Sequence, residues 1–382
     1  MQSAASRRVC FLLFSDRGQL LICLILRKLF VGLLLFAGVL FTLACTPFTV
    51  SERTEALRTG QDVPNTPSAS PAPTASPSPA PTAPGKYVLK EDFSGADFFD
   101  HFQFETFDDP THGYVNYVDA ATAKQKSLIS IHPTSRAATI AVDSNQVASG
   151  RGRSAVRLTS KSHFTTGLFI IDVAHMPVGN GTWPAFWSFG PNWPHSGEID
   201  VIEGVNNQSN NFSTLHTSPG CSMNSVNAAT VMTGTYNGSR DCNANNAYNG
   251  CSTQGAANSF GPAFNATSGG VYAMLWTNEA ISIWFWPRSK IPQNIASATE
   301  PDPSTWGLPA AFFKLGSECP ANYFSQHNLI LNTTFCGDWA GSVFNGSTGS
   351  GNAACVSYVQ NNPAAFADAY WSVNFIRVYS VP

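Results

Sequence analysis

The chain has 382 residues, a formal net charge of −3 and a pI near 6.2. It lacks the basic surplus needed to hold a phosphate backbone, which excludes nucleic acid as a partner. Charged residues make up only 12%, while 27 Phe, 10 Tyr and 9 Trp bring the aromatic share to 12%, a balance suited to a β-rich globular domain.

Residues 1–28 form a polar, basic lead (Arg7, Arg8, Arg17, Arg27, Lys28), and residues 29–50, "LFVGLLLFAGVLFTLACTPFTV", carry no charge. As a helix this run would span roughly 33 Å, enough for a hydrocarbon core of about 30 Å. The lead is long for the start of a signal peptide, and the run exceeds the ~7–15 apolar residues usual at its centre. It therefore reads as a single-pass transmembrane anchor, with a cleaved signal and secretion as the alternative. Five Lys/Arg before the run, against Arg53 and Arg58 after it, place the N-terminus in the cytoplasm and the remainder outside, at the cell surface. Residues 51–85 follow, with "PNTPSASPAPTASPSPAPTAPG". Alternating Pro with Ser, Thr and Ala buries no apolar area and predicts a disordered, extended stalk whose hydroxyls are open to O-glycans.

Residues 86–382 are long enough for one large sandwich or barrel. Short alternating segments recur between Gly, Asn, Ser and Pro: "AVRLTS", "GLFIIDVA", "AFWSFG", "EIDVIEG", "VYAMLWTN", "ISIWFWP", "NLILNTTF" and "YWSVNFIRVYSV". Few stretches hold a helical period, so the domain is predicted to be all-β, with two antiparallel sheets. Its six cysteines, Cys221, Cys242, Cys251, Cys319, Cys336 and Cys355, include no CxxC pair, which argues for up to three disulfides over a zinc site and leaves the connectivity open. Asn-x-Ser/Thr sequons at Asn180, Asn207, Asn211, Asn237, Asn265, Asn332 and Asn345 fit an exported domain.

The chemistry concentrates in "SGEIDVIEGVN", where Glu198, Asp200 and Glu203 crowd among residues that favour a buried strand. Side chains of a regular strand alternate, so Glu198 and Asp200 share a face and Glu203 falls on the other. One extra residue at Val201 or Ile202, a β-bulge, returns Glu203 to the face of the other two. Three carboxylates on one face repel, so at least one must hold a proton near neutral pH. Retaining glycoside hydrolysis needs such a set, one ionised nucleophile and one protonated acid. Carboxylates strung along one strand make a poor cage for calcium, and a solvated edge strand is the remaining alternative. "DDPTHG", with Asp108, Asp109 and His112, reads as turn chemistry rather than a metal site.

"GEIDVIEG" resembles the E-x-D-x-x-E signature of glycoside hydrolase family 16, in the bulged form of fungal laminarinases and related endo-β-1,3(4)-glucanases. The resemblance extends over nearly all of 86–382, through "EDFSGADFFDHFQFETFDDPTHGYVNYV", "GTWPAFWSFGPNWPHSGEIDVIEGVNNQSNNFSTLHTSPGC", "ISIWFWPRSKIP" and "TFCGDWAG". It implies a β-jelly-roll (concanavalin A-like) sandwich with a glucan cleft across its concave sheet. By the same resemblance Glu198 is the nucleophile, Glu203 the acid/base, and Asp200 a hydrogen-bonding partner that biases the pair toward one proton. His216, in "STLHT", resembles a family histidine near the acid/base, with a satisfied structural histidine as the alternative. Trp183 and Trp339 are the expected sugar-stacking residues and Asn116 an expected polar contact, while Trp187, Trp284 and Trp286 are open to a core role. The implied activity is retaining endo-hydrolysis of β-1,3 bonds in laminarin-type glucans, and of β-1,4 bonds beside them, by a monomer with no cofactor and no metal. The alternatives are a transglycosylase sharing the covalent intermediate and a glucan-binding wall module without chemistry.

Overall fold

The computed structural model describes residues 87–246, 249–296 and 300–381. The basic lead, the anchor at 29–50 and the stalk at 51–85 lie outside the described residues. Among the described residues no helix is long and apolar enough to cross a membrane.

Two eight-stranded sheets make the domain. The first contains β1 (Phe102–Phe104), β2 (Arg157–Phe164), β3 (Thr182–Phe189), β4 (Glu198–Glu203), β5 (Phe212–His216), β6 (Thr235–Asn237), β7 (Cys251–Gln254) and β8 (His327–Phe335). Their spatial order is β6-β7-β5-β4-β3-β8-β2-β1, all antiparallel, which puts the acidic β4 in the middle. The second sheet runs Ala311–Lys314, Ala280–Pro287, Gly270–Trp276, Gly167–His175, Tyr370–Ser380, Ala138–Ala141, Ile129–Ile131, with Val88–Ser94 also pairing on Tyr370–Ser380.

Strand alternation decides which side chains enter the core. From the first sheet Phe186, Ile199, Leu215, Leu329 and Leu331 point inward, and they meet Phe169, Ile171, Met274, Ile283, Phe313 and Ile376 of the second. The two-sheet, all-β expectation is met. Trp284 lies on the far side of the second sheet, 6% exposed and edge-on to Trp306, whose ring also packs against Trp286. Both therefore pack in the cluster on that side, away from the acidic strand.

A smaller core gathers Val115, Tyr117, Phe335, Val359 and Phe366 around the Cys336–Cys355 disulfide. This bond fastens the ten-residue helix Asn352–Asn361 to the one-turn π-helix Gly337–Gly341 that carries Trp339. The other bridges are Cys221–Cys319 and Cys242–Cys251, so all six cysteines of the domain are paired. "DDPTHG" forms a turn, as its composition predicts: Asp109 Oδ2 accepts from Thr111 Oγ1, the Gly113 N–H and Thr334 Oγ1, and His112 pairs with Asp338.

Candidate active site

The registers define the outward face of the first sheet residue by residue. Across β4, Glu198 lies opposite Phe189 of β3 and His216 of β5, and Asp200 opposite Trp187 and Thr214. From Asp200 to Ile202 the strand advances two residues while β3 moves one, from Trp187 to Phe186. The same slip appears against β5, where Glu203 pairs with Phe212. One residue is therefore extra, and Glu203 returns to the face of Glu198 and Asp200, the arrangement that parity required. Ile199, Val201 and Ile202 are all buried in the core behind.

Glycines fix both ends of this strand. Gly197 has φ +74°, and a Cβ there would stand 2.4 Å from Phe324 Cδ1 and 2.6 Å from Tyr323 O. A Cβ on Gly204 would meet Gln208 Nε2 at 2.3 Å and the Phe260 ring at 2.7 Å. Any larger residue would push the strand away from its neighbours, which explains a glycine on either side of the acidic run.

The carboxylates are unequally placed. Asp200 is 1% exposed, and its Oδ2 lies 2.9 Å from Nε2 of His216. The contact is close without being a well-directed hydrogen bond, so it acts as an ion pair, and His216 Nδ1 is also buried without a hydrogen-bonding partner. Burial, followed by the charges of Glu198 and Glu203, pushes the Asp200 carboxyl well above the usual carboxylate range. Burial likewise raises Glu203 to about 7; the His216 charge and a hydrogen bond from Trp183 Nε1 to Oε1, 2.9 Å long, hold it from rising further. Burial alone would lower His216, but the charges of Glu198, Asp200 and Glu203 and the contact with Asp200 carry it up to about 10. Asp200, Glu203 and His216 thus keep protons that isolated side chains would release.

Glu198, Asp200 and His216 each offer one ligand atom within 4.8 Å of the others, the only such group of three among the described residues.

Aromatic residues flank the acids. The Trp183 and Trp339 rings meet edge to face with centroids 5.6 Å apart, and Phe212 stands 5.8 Å from Trp339. Trp187 is half-buried, stacked on Phe189, and donates its indole N–H to Asn332 Oδ1 at 2.8 Å; it belongs to the acidic face and not to the core. Trp183, Trp339, His216 and the three acids are thus brought together. Asn116 is not: its strand, Val115–Tyr117, buries the residues on either side of it, and Asn116 lines a separate cavity of about 300 Å³ with Lys126, Asp143 and Gln146.

Four residues around the acids were missed from the sequence, three on this face and Asn211 beneath it. Trp193, 47% exposed, donates its indole N–H to Glu198 Oε2. Asn332 orients Trp187, and the Arg157 guanidinium lies between the Trp187 and Phe107 rings at 4.9 and 5.1 Å. Asn211 binds the backbone of the bulge. Arg157 and Asn332 sit in segments read correctly as strands, and strand parity would have exposed them once the register was known. Trp193 lies in a turn that carries no periodic signal.

A two-sheet antiparallel sandwich bearing clustered carboxylates and indoles on the outer face of one sheet defines the class, a jelly-roll of the glycoside hydrolase kind. The chain belongs to glycoside hydrolase family 16: residues 102–379 match the family described as XgeA-like, catalytic GH16 domain. It is 44% identical over 299 residues to an endo-1,3(4)-beta-glucanase of Arthroderma benhamiae, covering 77% of this chain and 65% of that protein. A probable endo-1,3(4)-beta-glucanase of Aspergillus fumigatus is 46% identical over 301 residues, 77% of this chain and 45% of that one. The chain thus spans about half to two thirds of the length of these curated relatives. Among solved structures, GH16 Laminarinase 16A from Phanerochaete chrysosporium, with β-glucans in both donor and acceptor sites, superposes with a TM-score of 0.72 at 44% identity, covering 78% of this chain and 100% of that one. An elongating GH family 16 β-1,3-glucosyltransferase matches with the same TM-score at 40% identity, covering 77% of this chain and 100% of that one.

Proposed function

We propose that the protein is a retaining endo-β-1,3-glucanase that also cuts β-1,4 bonds beside a β-1,3 linkage. The observation that carries this reading is the bulged strand, which sets Glu198, Asp200 and Glu203 on one face with a proton held on Glu203 near neutral pH. The Glu198 carboxylate attacks the anomeric carbon while Glu203 gives its proton to the departing glycosidic oxygen. A glucosyl ester on Glu198 results, and Glu203, now ionised, takes a proton from the water that cleaves it with net retention. Asp200 and His216 hold the remaining proton and keep the crowded charge balanced. Trp183 and Trp339 offer apolar ring faces to the C–H faces of glucose units. The laminarinase likeness and the endo-1,3(4)-beta-glucanase relatives support β-1,3-glucan as the substrate.

A second reading is favoured by the glucosyltransferase likeness: the same glucosyl-enzyme passed to another sugar instead of water. Digestion of laminarin with and without added laminari-oligosaccharide acceptor tests both. Falling chain length in each case supports hydrolysis, products longer than the acceptor support transfer, and no action on laminarin or mixed-linkage glucan, with action on agarose or xyloglucan, refutes the substrate. The domain works as a monomer outside the cytoplasm, held at a membrane by residues 29–50 with residues 51–85 as its stalk. The support is the uncharged run and the charge bias around it. Sequencing of native protein that starts shortly after Cys45, with all activity in the medium, would refute the anchor.

A further inference from the structure

An extra residue in a strand leaves backbone groups without ladder partners, and buried groups of this kind must be satisfied elsewhere. Where both ladders of β4 slip, the groups in question are the Val201 carbonyl and the Glu203 N–H. One side-chain amide takes both. Asn211 Nδ2 donates to Val201 O at 2.8 Å, and Asn211 Oδ1 accepts the Glu203 N–H at 2.9 Å. Ser213 Oγ adds a second donor to Val201 O at 3.1 Å and lies 3.2 Å from Asn211 Nδ2. Asn211 is itself pinned, its N–H by Ser259 Oγ at 2.8 Å and its carbonyl by the Gly255 N–H at 2.9 Å. It is 3% exposed.

We propose that Asn211 is a positioning residue, whose amide holds the bulge that keeps the Glu203 carboxyl on the face of Glu198, and that this engagement leaves its sequon unglycosylated in the active protein. The first half rests on the reading of Glu203 as acid/base. A one-residue change of register moves a side chain to the opposite face of a sheet. Asn211 spans the place where that choice is made, bonding one residue on each side of Ile202. The second half follows from chemistry at the same atom: an N-glycan is carried on Nδ2, whose hydrogens are directed at Val201 O and Ser213 Oγ. The cavity that Asn211 and Ser213 line, about 60 Å³, has room for water and not for a glycan core. A glycan added before folding would forbid the bulge. Asn207, four residues earlier, is exposed, and its Nδ2 donates to Asn180 Oδ1 in an exposed contact, at 2.8 Å.

The groups facing Glu203 are Glu198, His216 and the Trp183 indole, with Asp200 beside them, so its titration reports its place. Asn211→Ala is expected to lower kcat on laminarin by about 10²-fold, the cost of misplacing a reacting group by about 1 Å, with KM little changed. The basic limb of its pH profile is expected to move, because a Glu203 displaced from the Trp183 indole and the His216 charge loses the surroundings that hold it near 7. Ser213→Ala, which spares the Asn211 bonds to Val201 O and the Glu203 N–H, should leave that limb where it is. A folded Asn211→Ala enzyme whose basic limb does not move, whatever its kcat, overturns the positioning role. Peptide mass spectrometry of active wild-type protein from an N-glycosylating host needs no variant: unmodified Asn211 is expected, and a glycan there overturns the second half. If the wild type turned over no β-glucan, the glucanase reading would fall while the mass spectrum still decided the sequon.

Discussion

Trp183→Phe tests the proton on Glu203 directly. The indole N–H donates to Oε1 at 2.9 Å, and a donor stabilises the ionised carboxylate more than the acid, so it opposes the burial that raises Glu203 to about 7. Phenylalanine removes the donor and keeps an aromatic wall near Trp339, whose ring centroid is 5.6 Å from that of Trp183. A hydrogen bond to a charged group contributes about 1.5–3 kcal/mol, and one pKa unit corresponds to about 1.4 kcal/mol, which bounds the upward shift at roughly 1–2 units. Glu203 keeps part of its surface open to solvent, where water takes over some of the donor's work, so a shift of about one unit is expected. A general acid must be protonated to act, and activity is lost as pH rises through its pKa; the basic limb should therefore move up. The assay is kcat/KM on laminarin against pH, which reports the free enzyme. Loss of indole area against the sugar would lower kcat/KM at every pH without moving the limb, so the two effects separate. A basic limb that stays in place or moves down refutes the argument.

Glu203→Ala should slow laminarin cleavage by about 10²–10⁴-fold, yet spare the first step on a dinitrophenyl glucoside, whose leaving group needs no proton; Glu198→Ala should be crippled on both, and NMR of wild-type hydrolysis should show the β-anomer first. Glu203→Gln should raise the melting temperature above neutral pH: the folded-state pKa of Glu203, about 7, lies above its unfolded value of 4.5, so the stability it contributes at low pH is lost as pH rises through 7, and glutamine never takes on that charge. An unchanged melting curve at pH 8 would count against the burial of this carboxyl. Replacing Cys336 and Cys355 by alanine opens a loop of 19 residues, expected to cost about 3 kcal/mol in denaturant unfolding, and should raise KM more than it lowers kcat because Trp339 sits on the adjoining turn. Equal loss of kcat would place Trp339 nearer the reacting bond than the sheet geometry suggests.

The strands most visible in the sequence were those with long alternation, such as Gly167–His175, Ala280–Pro287 and Tyr370–Ser380. Strands of three residues, such as Ile129–Ile131 and Thr235–Asn237, carry too little period to be told from loop, and their place is set by pairing with distant segments. The bulge was legible because three acids within six residues impose a parity condition that local geometry alone answers. What acts on those acids was less legible. Trp183 and Glu203 are 20 residues apart in sequence, and Trp187 and Asn332 are 145 apart. Register, not composition, brings them together. The sequons show the same limit: Asn207 and Asn211 are equal as motifs, but one is exposed on the surface and the other is 3% exposed with its amide bonded to buried backbone.

A bulge in the middle of an eight-stranded sheet has to be supported, and the way this one is supported bears on why the acids can be crowded at all. A regular β4 would turn Glu203 into the core among Ile199, Val201 and Leu215, where an ionised carboxylate without partners is expelled or protonated. Turned outward, the same side chain keeps one oxygen on the Trp183 indole and some exposure to solvent, enough to hold its proton loosely near neutral pH instead of permanently. Asp200, without the bulge's freedom, stays 1% exposed with its Oδ2 against His216 Nε2. One inserted residue thus separates Glu203, placed to exchange a proton during turnover, from the buried Asp200 beside it. That division needs no difference in residue type, only in backbone register, and among the described residues Asn211 is the single side chain bonded to both sides of the slip.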